Sequence, residues 1–170
     1  MSASISDMSP RPDSAVLLVH LGSTLYMACV IWWAQLYAYP GLDTGRAARS
    51  TRRAIVHGRR IPWIAGPAML LEMGSGLLLL HAGWDVWTYR AGPWLLARDT
   101  LALGLLLLAL VWASTALVQA PTFARLTLGF DPKTHRRLVR TNWFRTITWT
   151  VRAALALALL IQVRQLDFLR

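Results

Sequence analysis

The chain is short of what most soluble domains are built from. Of its 170 residues 15% are charged and 55% are hydrophobic. A soluble domain of this length needs more polar surface than that. A single cysteine, Cys29, rules out an intrachain disulfide and has no ligand-spaced partner; it is expected to be a small packing residue. There is a single lysine, Lys133. Gly-rich phosphate loops, zinc-type His/Cys/Glu clusters and nucleophile-elbow serines are missing. So are internal repeats. The first residues, MSASISDMSPRPDS, lack the basic region and short apolar core of a cleaved leader. Residues 1–14 are expected to form a disordered tail, followed by one domain over 15–170.

What the chain has instead is long apolar blocks. Segments 15–39, 61–80, 95–118 and 146–166 each reach the ~20 residues needed to cross a ~30 Å hydrocarbon core. Lipid admits only helices and closed barrels. None of the blocks shows the two-residue alternation of barrel strands. The expected fold class is therefore all-α, an integral membrane four-helix bundle with helices at about 15–39, 61–80, 95–118 and 132–166.

The net charge of +10 is not spread in the manner of a nucleic-acid surface. Arg46, Arg49, Arg52, Arg53, Arg59 and Arg60 lie between the first two helices. Arg125, Lys133, Arg136, Arg137, Arg140 and Arg145 lie between the last two. The middle loop has Arg90 and Arg98 offset by Asp85 and Asp99, and the tail has Arg164 and Arg170 with Asp167. This alternation predicts cytoplasmic basic segments, with both termini on the outer side. No nucleic-acid partner is expected; the basic runs suit anionic lipid headgroups. Trp84, Trp87, Tyr89 and Trp94 suit the outer headgroup level, and Tyr37, Tyr39, Trp63 and Trp143 the inner one. The expected location is the inner (cytoplasmic) membrane of a bacterium.

Local signals refine the elements. Tyr39-Pro40-Gly41 is read as the stop of the first helix. The Arg- and Ala-rich segment 42–60 suits a short surface helix. Pro62 suits a helix start, whereas Pro67 predicts a kink or an unpaired carbonyl. Gln119-Ala120-Pro121 is read as the end of the third helix. Asp131-Pro132 reads as an N-cap with proline at the first helical position. From there the last helix is expected to outrun the bilayer as a basic overhang in the cytoplasm.

Ionisable groups within lipid-spanning segments are costly and face the bundle interior. By the ~1.5 Å rise per residue, His20 lies ~8 Å and Glu72 ~12 Å from the outer boundary, and Arg152 ~21 Å from it. Helical spacing sets His20, Thr24, Met27, Ile31 and Gln35 on one face. Ala65, Ala68, Met69, Glu72, Ser75 and Gly76 share another, as do Trp112, Thr115 and Gln119, and Arg145, Thr148, Trp149 and Arg152. Turned inward, these stripes enclose a polar cleft. The candidate catalytic residues are His20, Glu72 and Arg152. The candidate substrate-cleft residues are Gln35, Trp112, Thr115, Gln119, Asn142, Arg145 and Trp149. No metal site is expected. Structural alternatives stand beside these roles: Glu72 bonded to a backbone carbonyl, Arg152 snorkelling to the cytoplasmic face, and His20 satisfied in the core. His57, His81 and His135 are read as surface residues. The cofactor is unassigned. Haem is not favoured, because His20 and His81 differ by ~8 Å in depth, a poor axial pair.

The segments VQAPTFARL, with Pro121, and LVRTNWFRTITWTVRAALALALL, with residues 138–152, resemble the anthrone-oxygenase-like family of small four-helix membrane proteins. The resemblance implies oxygenase chemistry on polycyclic anthrones. In place of the Asn-containing run expected after the proline, this chain has Thr122-Phe123. The first helix, VHLGSTLYMACVIWWAQLYAYPGL, is similar to that of the membrane protoporphyrinogen oxidase family, with His20 at the matching histidine. That family uses an intramembrane lysine, and this chain has none, so the activity is not carried over.

Three functional readings follow. The first is an oxidoreductase or oxygenase-like enzyme for a hydrophobic aromatic, lipid-soluble molecule, with Glu72 or His20 as general base and Arg152 holding a developing oxyanion. The second is a non-catalytic membrane subunit or scaffold for a membrane protein partner, using the small-residue face of helix two and the basic cytoplasmic overhang. The third is a homo-oligomeric channel or transporter, which four helices without repeats suit poorly.

Overall fold

The computed structural model describes the backbone of residues 14–89 and 93–168 and the side chains of 14–81 and 96–165. The expected tail over 1–13 lies outside the described residues. So do the side chains of Trp84, Trp87, Tyr89 and Trp94. Among the described residues there is no strand. The elements are α1 (Ser14–Trp33), a π segment (Ala34–Ala38), a short 3-10 turn (Pro40–Leu42), α2 (Ala47–Tyr89), α3 (Pro93–Ser114), a second π segment (Thr115–Gln119), α4 (Ala120–Leu128) and α5 (Pro132–Phe168).

Four stretches are long and apolar enough to cross a membrane: Ser14–Ala38, Ala47–His81, Leu96–Leu128 and Pro132–Gln165. This is the build of an integral membrane four-helix bundle. Helix α1 packs on α2 and α5, and α3 packs on α2 and α5, so the four close into a ring. The outside of the ring is apolar: Leu18, Leu25, Leu70, Leu71, Leu78, Leu106, Leu157 and Ile161 are all exposed. Water would oppose such a surface and lipid accepts it.

The interior is layered. At the end away from the basic segments, Leu17, Leu79, Ala97, Leu101, Leu159 and Val163 form one apolar cluster. In the basic half, Met27, Ile31, Ala68, Met69, Leu108, Val111 and Trp149 belong to a larger one. His20, Thr24, Glu72, Ser75 and Arg152, all buried, fall between the two in every helix that supplies them. Close packing there depends on Gly76. A Cβ at that position would stand 2.8 Å from Leu105 Cδ2 and 3.3 Å from His20 Cε1.

Prolines act differently from their sequence reading. The expected surface helix over 42–60 is the first part of α2, which runs unbroken for 43 residues through both Pro62 and Pro67. The Tyr26 hydroxyl donates to the Ile64 carbonyl at 3.1 Å, one residue past the Trp63 carbonyl that Pro67 leaves without its in-helix donor. Pro121 does not end the third span either, since α4 carries it on to Leu128. The reason is the π segment before it. Ala120 N–H bonds back to the Thr115 carbonyl, five residues away, and Tyr39 N–H bonds likewise to Ala34 just before Pro40. The wider turn accommodates a proline ring that would collide with a carbonyl in a regular α-helix.

The start of α5 follows its sequence signal. Asp131 accepts from Lys133 N at 3.2 Å, from Thr134 N at 2.8 Å and from Thr134 Oγ1 at 2.7 Å. Those bonds hold its carboxyl below the usual aspartate range, the Thr134 side chain contributing most. Helix α5 then runs 37 residues, about 55 Å by helical rise, well beyond a ~30 Å hydrocarbon core. Cys29 is exposed on the outside of the bundle, not packed within it. Tyr39 is buried and stacks near Phe123 and His57, so it is a core residue, not part of an aromatic belt. Tyr37 and Trp63 are 69% and 83% exposed, as headgroup-level residues would be.

Candidate functional site

The structure divides the sequence-nominated residues between two places, a polar knot in the middle of the bundle and a cleft in its basic half. In the knot, Glu72 Oε1 accepts from Arg152 Nε at 3.1 Å, from Arg152 Nη2, and from Thr24 Oγ1 at 2.8 Å. Arg152 Nη1 donates to the Gly104 carbonyl on α3. The guanidinium lies 5.4 Å from the Trp149 ring centroid, a cation–π contact. One arginine of α5 thus binds α2 and α3 directly, and α1 through Glu72 and Thr24.

Arg152 is 2% exposed and does not snorkel. The length of its side chain closes the depth offset expected from helical rise. Arg98–Asp99 is the other ion pair among the described residues, and it is exposed.

His20 completes the knot. Ser75 Oγ donates to the Glu72 carbonyl at 3.1 Å, so its oxygen is left to accept from His20 Nδ1 at 3.1 Å. His20 Nδ1 also lies 3.3 Å from the same carbonyl. That chain of bonds makes Nδ1 a protonated, donating nitrogen. Glu72 Oε2 is buried and unbonded, while Oε1 carries all the donors. No knot residue lines the cleft described next.

The cleft measures about 960 Å³ and lies between α1, α2 and the stretch from Trp112 through α4. Met27, Ile31, Ala65, Met69, Ala116 and Phe123 are among its apolar walls. Of the nominated cleft residues, Trp112, Thr115, Gln119 and Arg145 line it. Gln35, Asn142 and Trp149 do not. Asn142 and Trp149 are fully buried, and Gln35 is 3% exposed. Asn142 Nδ2 donates to Gln35 Oε1 at 2.8 Å, and Gln35 Nε2 donates to the Val139 carbonyl at 3.3 Å. Asn142 Oδ1 in turn accepts from Arg145 Nη1 at 3.2 Å. Gln35 and Asn142 therefore form a supporting layer behind Arg145. Trp112 sits at the edge of α3, 37% exposed, whereas the inward face of α3 is Ala97, Leu101, Leu108 and Val111.

Two histidines read as surface residues are packed. His135 is buried, and its Nε2 donates to the Tyr39 carbonyl at 2.8 Å. His57 lies among Trp33, Tyr39 and Phe123, with ring centroids 6.2, 5.7 and 5.6 Å away. It lines the cleft, and its Nε2 is buried without a partner. The signal that could have found it is Gly58, the next residue. A Cβ there would stand 2.8 Å from Phe123 Cε1, so α2 and α4 approach closely at this level. His81, by contrast, is exposed.

No family model, curated protein or solved structure matches the chain. The site has to be read from its own residues.

Proposed function

We propose that this membrane protein takes a lipid-soluble molecule with an aromatic ring system into the cleft of its basic half, and that its chemistry takes place there. The observation that carries the reading is the cleft: about 960 Å³, mostly apolar, and set among the span-length helices. That volume is at the upper end of ordinary small-molecule sites. Trp112, Tyr39 and Phe123 supply flat walls for a ring system. His57 lines the cleft and is the candidate proton-transfer group beside a bound molecule. The resemblance of Pro121 and residues 138–152 to anthrone-oxygenase-like proteins supports an oxidoreductase or oxygenase-like activity on such rings. The charge alternation supports a bacterial inner membrane with the basic end in the cytoplasm.

In this reading Glu72, Arg152 and His20 hold the helices in place and touch no substrate. The small-residue face of α2 is turned into the bundle, with Ala68, Met69, Glu72 and Ser75 buried, so a scaffold role would rest on the basic overhang. Gly66 provides the test. It lines the cleft, and a Cβ there would meet nothing within 4 Å. Protein purified in mild detergent should carry an extractable lipid-soluble aromatic molecule, identified by mass spectrometry. Gly66→Leu should lose it at unchanged helix content. Retention of the same molecule by Gly66→Leu contradicts the proposal. So does an empty wild-type protein that shows no saturable binding of an added lipophilic aromatic probe.

A further inference from the structure

The polar wall of the cleft has one-sided chemistry. Arg145 is 7% exposed, and its Nη1 is engaged by Asn142. Its Nε is buried and donates to nothing. Both ion pairs among the described residues belong to other arginines. No Asp or Glu among the described residues lines the cleft, while Arg59 and His57 do. Arg145 is therefore a cation on a mostly apolar wall with no counter-charge among the described residues. Such a charge is costly unless something offsets it.

Gln119 stands on the same wall. Its Nε2 donates to Thr141 Oγ1 at 2.9 Å, and the Thr141 hydroxyl donates onward to the Arg137 carbonyl at 2.8 Å. That relay fixes the amide orientation. It leaves Gln119 Oε1 buried and unbonded.

We infer that the ligand of this cleft is a lipophilic organic acid, its carboxylate paired with the Arg145 guanidinium and its apolar body lying between α1 and α2. The inference rests on the cleft being the binding site. Two features of the wall support it. A guanidinium matches a planar carboxylate in shape and charge. The support behind Arg145, through Asn142 to Gln35, holds it in place without neutralising it.

The test uses pyrenebutyrate and its methyl ester, titrated into the full chain in nanodiscs of neutral lipid and followed by pyrene fluorescence. The acid should bind saturably about tenfold or more tighter than the ester, the usual worth of a charge-assisted hydrogen bond. Arg145→Gln should remove that preference, Arg145→Lys should keep part of it, and Gly66→Leu should weaken both probes. Equal binding of acid and ester by the wild-type protein, with both lost in Gly66→Leu, overturns this inference and leaves the cleft as the site. Binding of both probes undiminished by Gly66→Leu overturns the cleft reading itself. The wild-type comparison decides the matter even where Arg145→Gln folds poorly.

Discussion

Arg145 and Arg152 lie two turns apart on one face of α5, both nearly inaccessible, yet they live in opposite electrostatic circumstances. Arg152 has a carboxylate, a helix carbonyl and an indole face around it. Arg145 has one amide oxygen and a cleft. The difference shows that burial of a charge in a membrane bundle is not by itself a sign of function. What matters is whether the protein supplies the counter-charge. Where it does, the group ties helices together; where it does not, as at Arg145, the proposed ligand would supply it.

The strongest way to break the comparison is to strip Arg152 of its partner. Glu72→Leu should lower stability by about 3–5 kcal/mol, the cost of an orphaned buried charge, seen as a large drop in the detergent melting temperature. The double change Glu72→Leu/Arg152→Leu should recover most of the loss. If Glu72→Leu melts like the wild-type protein, the pair does not hold the bundle.

A weaker probe compares two glycines of α2. Gly76→Ala should destabilise by about 1 kcal/mol or more, because its methyl group meets Leu105 and His20. Gly66→Ala should be neutral or stabilising, since it enters open space and gains helix propensity. Equal effects at the two positions would mean that knot and cleft are packed alike.

Arg145→Gln should change stability by less than about 1 kcal/mol, because it removes a cation that has no charged partner to leave behind. A loss comparable with that of Glu72→Leu would place Arg145 among the helix-binding groups.

The smallest effect is expected at Asp131, far from both regions. Its folded-state pKa is depressed by its capping bonds, so its contribution is complete above the ordinary aspartate value. That contribution fades as pH falls through the lower folded one. Asp131→Ala should therefore melt slightly lower than the wild-type protein at neutral pH, with the gap closing in acid. A gap that widens in acid would have the sign wrong.

Much of the fold was legible because lipid imposes simple rules. Four apolar blocks became four spans, and helical spacing correctly turned His20, Glu72, Trp149 and Arg152 inward. Spacing gives a direction on one helix but not which neighbour stands opposite. It therefore merged Glu72 and Arg152 with Gln119 and Arg145 into a single cleft. Pro62 and Pro121 misled for a related reason. A proline reads as a helix boundary, but a helix of the bundle can run through one, at Pro121 after a π turn that makes room for the ring. His57 and His135 were hidden by their arginine-rich neighbourhoods, which mark the segment as polar without showing that α2 and α5 bury one side of it.

The most direct test of the account is the melting temperature of wild-type protein and Arg145→Gln in nanodiscs, each with and without saturating pyrenebutyrate. A ligand that binds the folded state raises its stability in proportion to occupancy. The account predicts similar melting of the two proteins when empty, and a larger rise on adding the acid for the wild-type protein than for Arg145→Gln. An Arg145→Gln protein that is strongly destabilised when empty, beside a wild-type protein that the acid leaves unchanged, would contradict it.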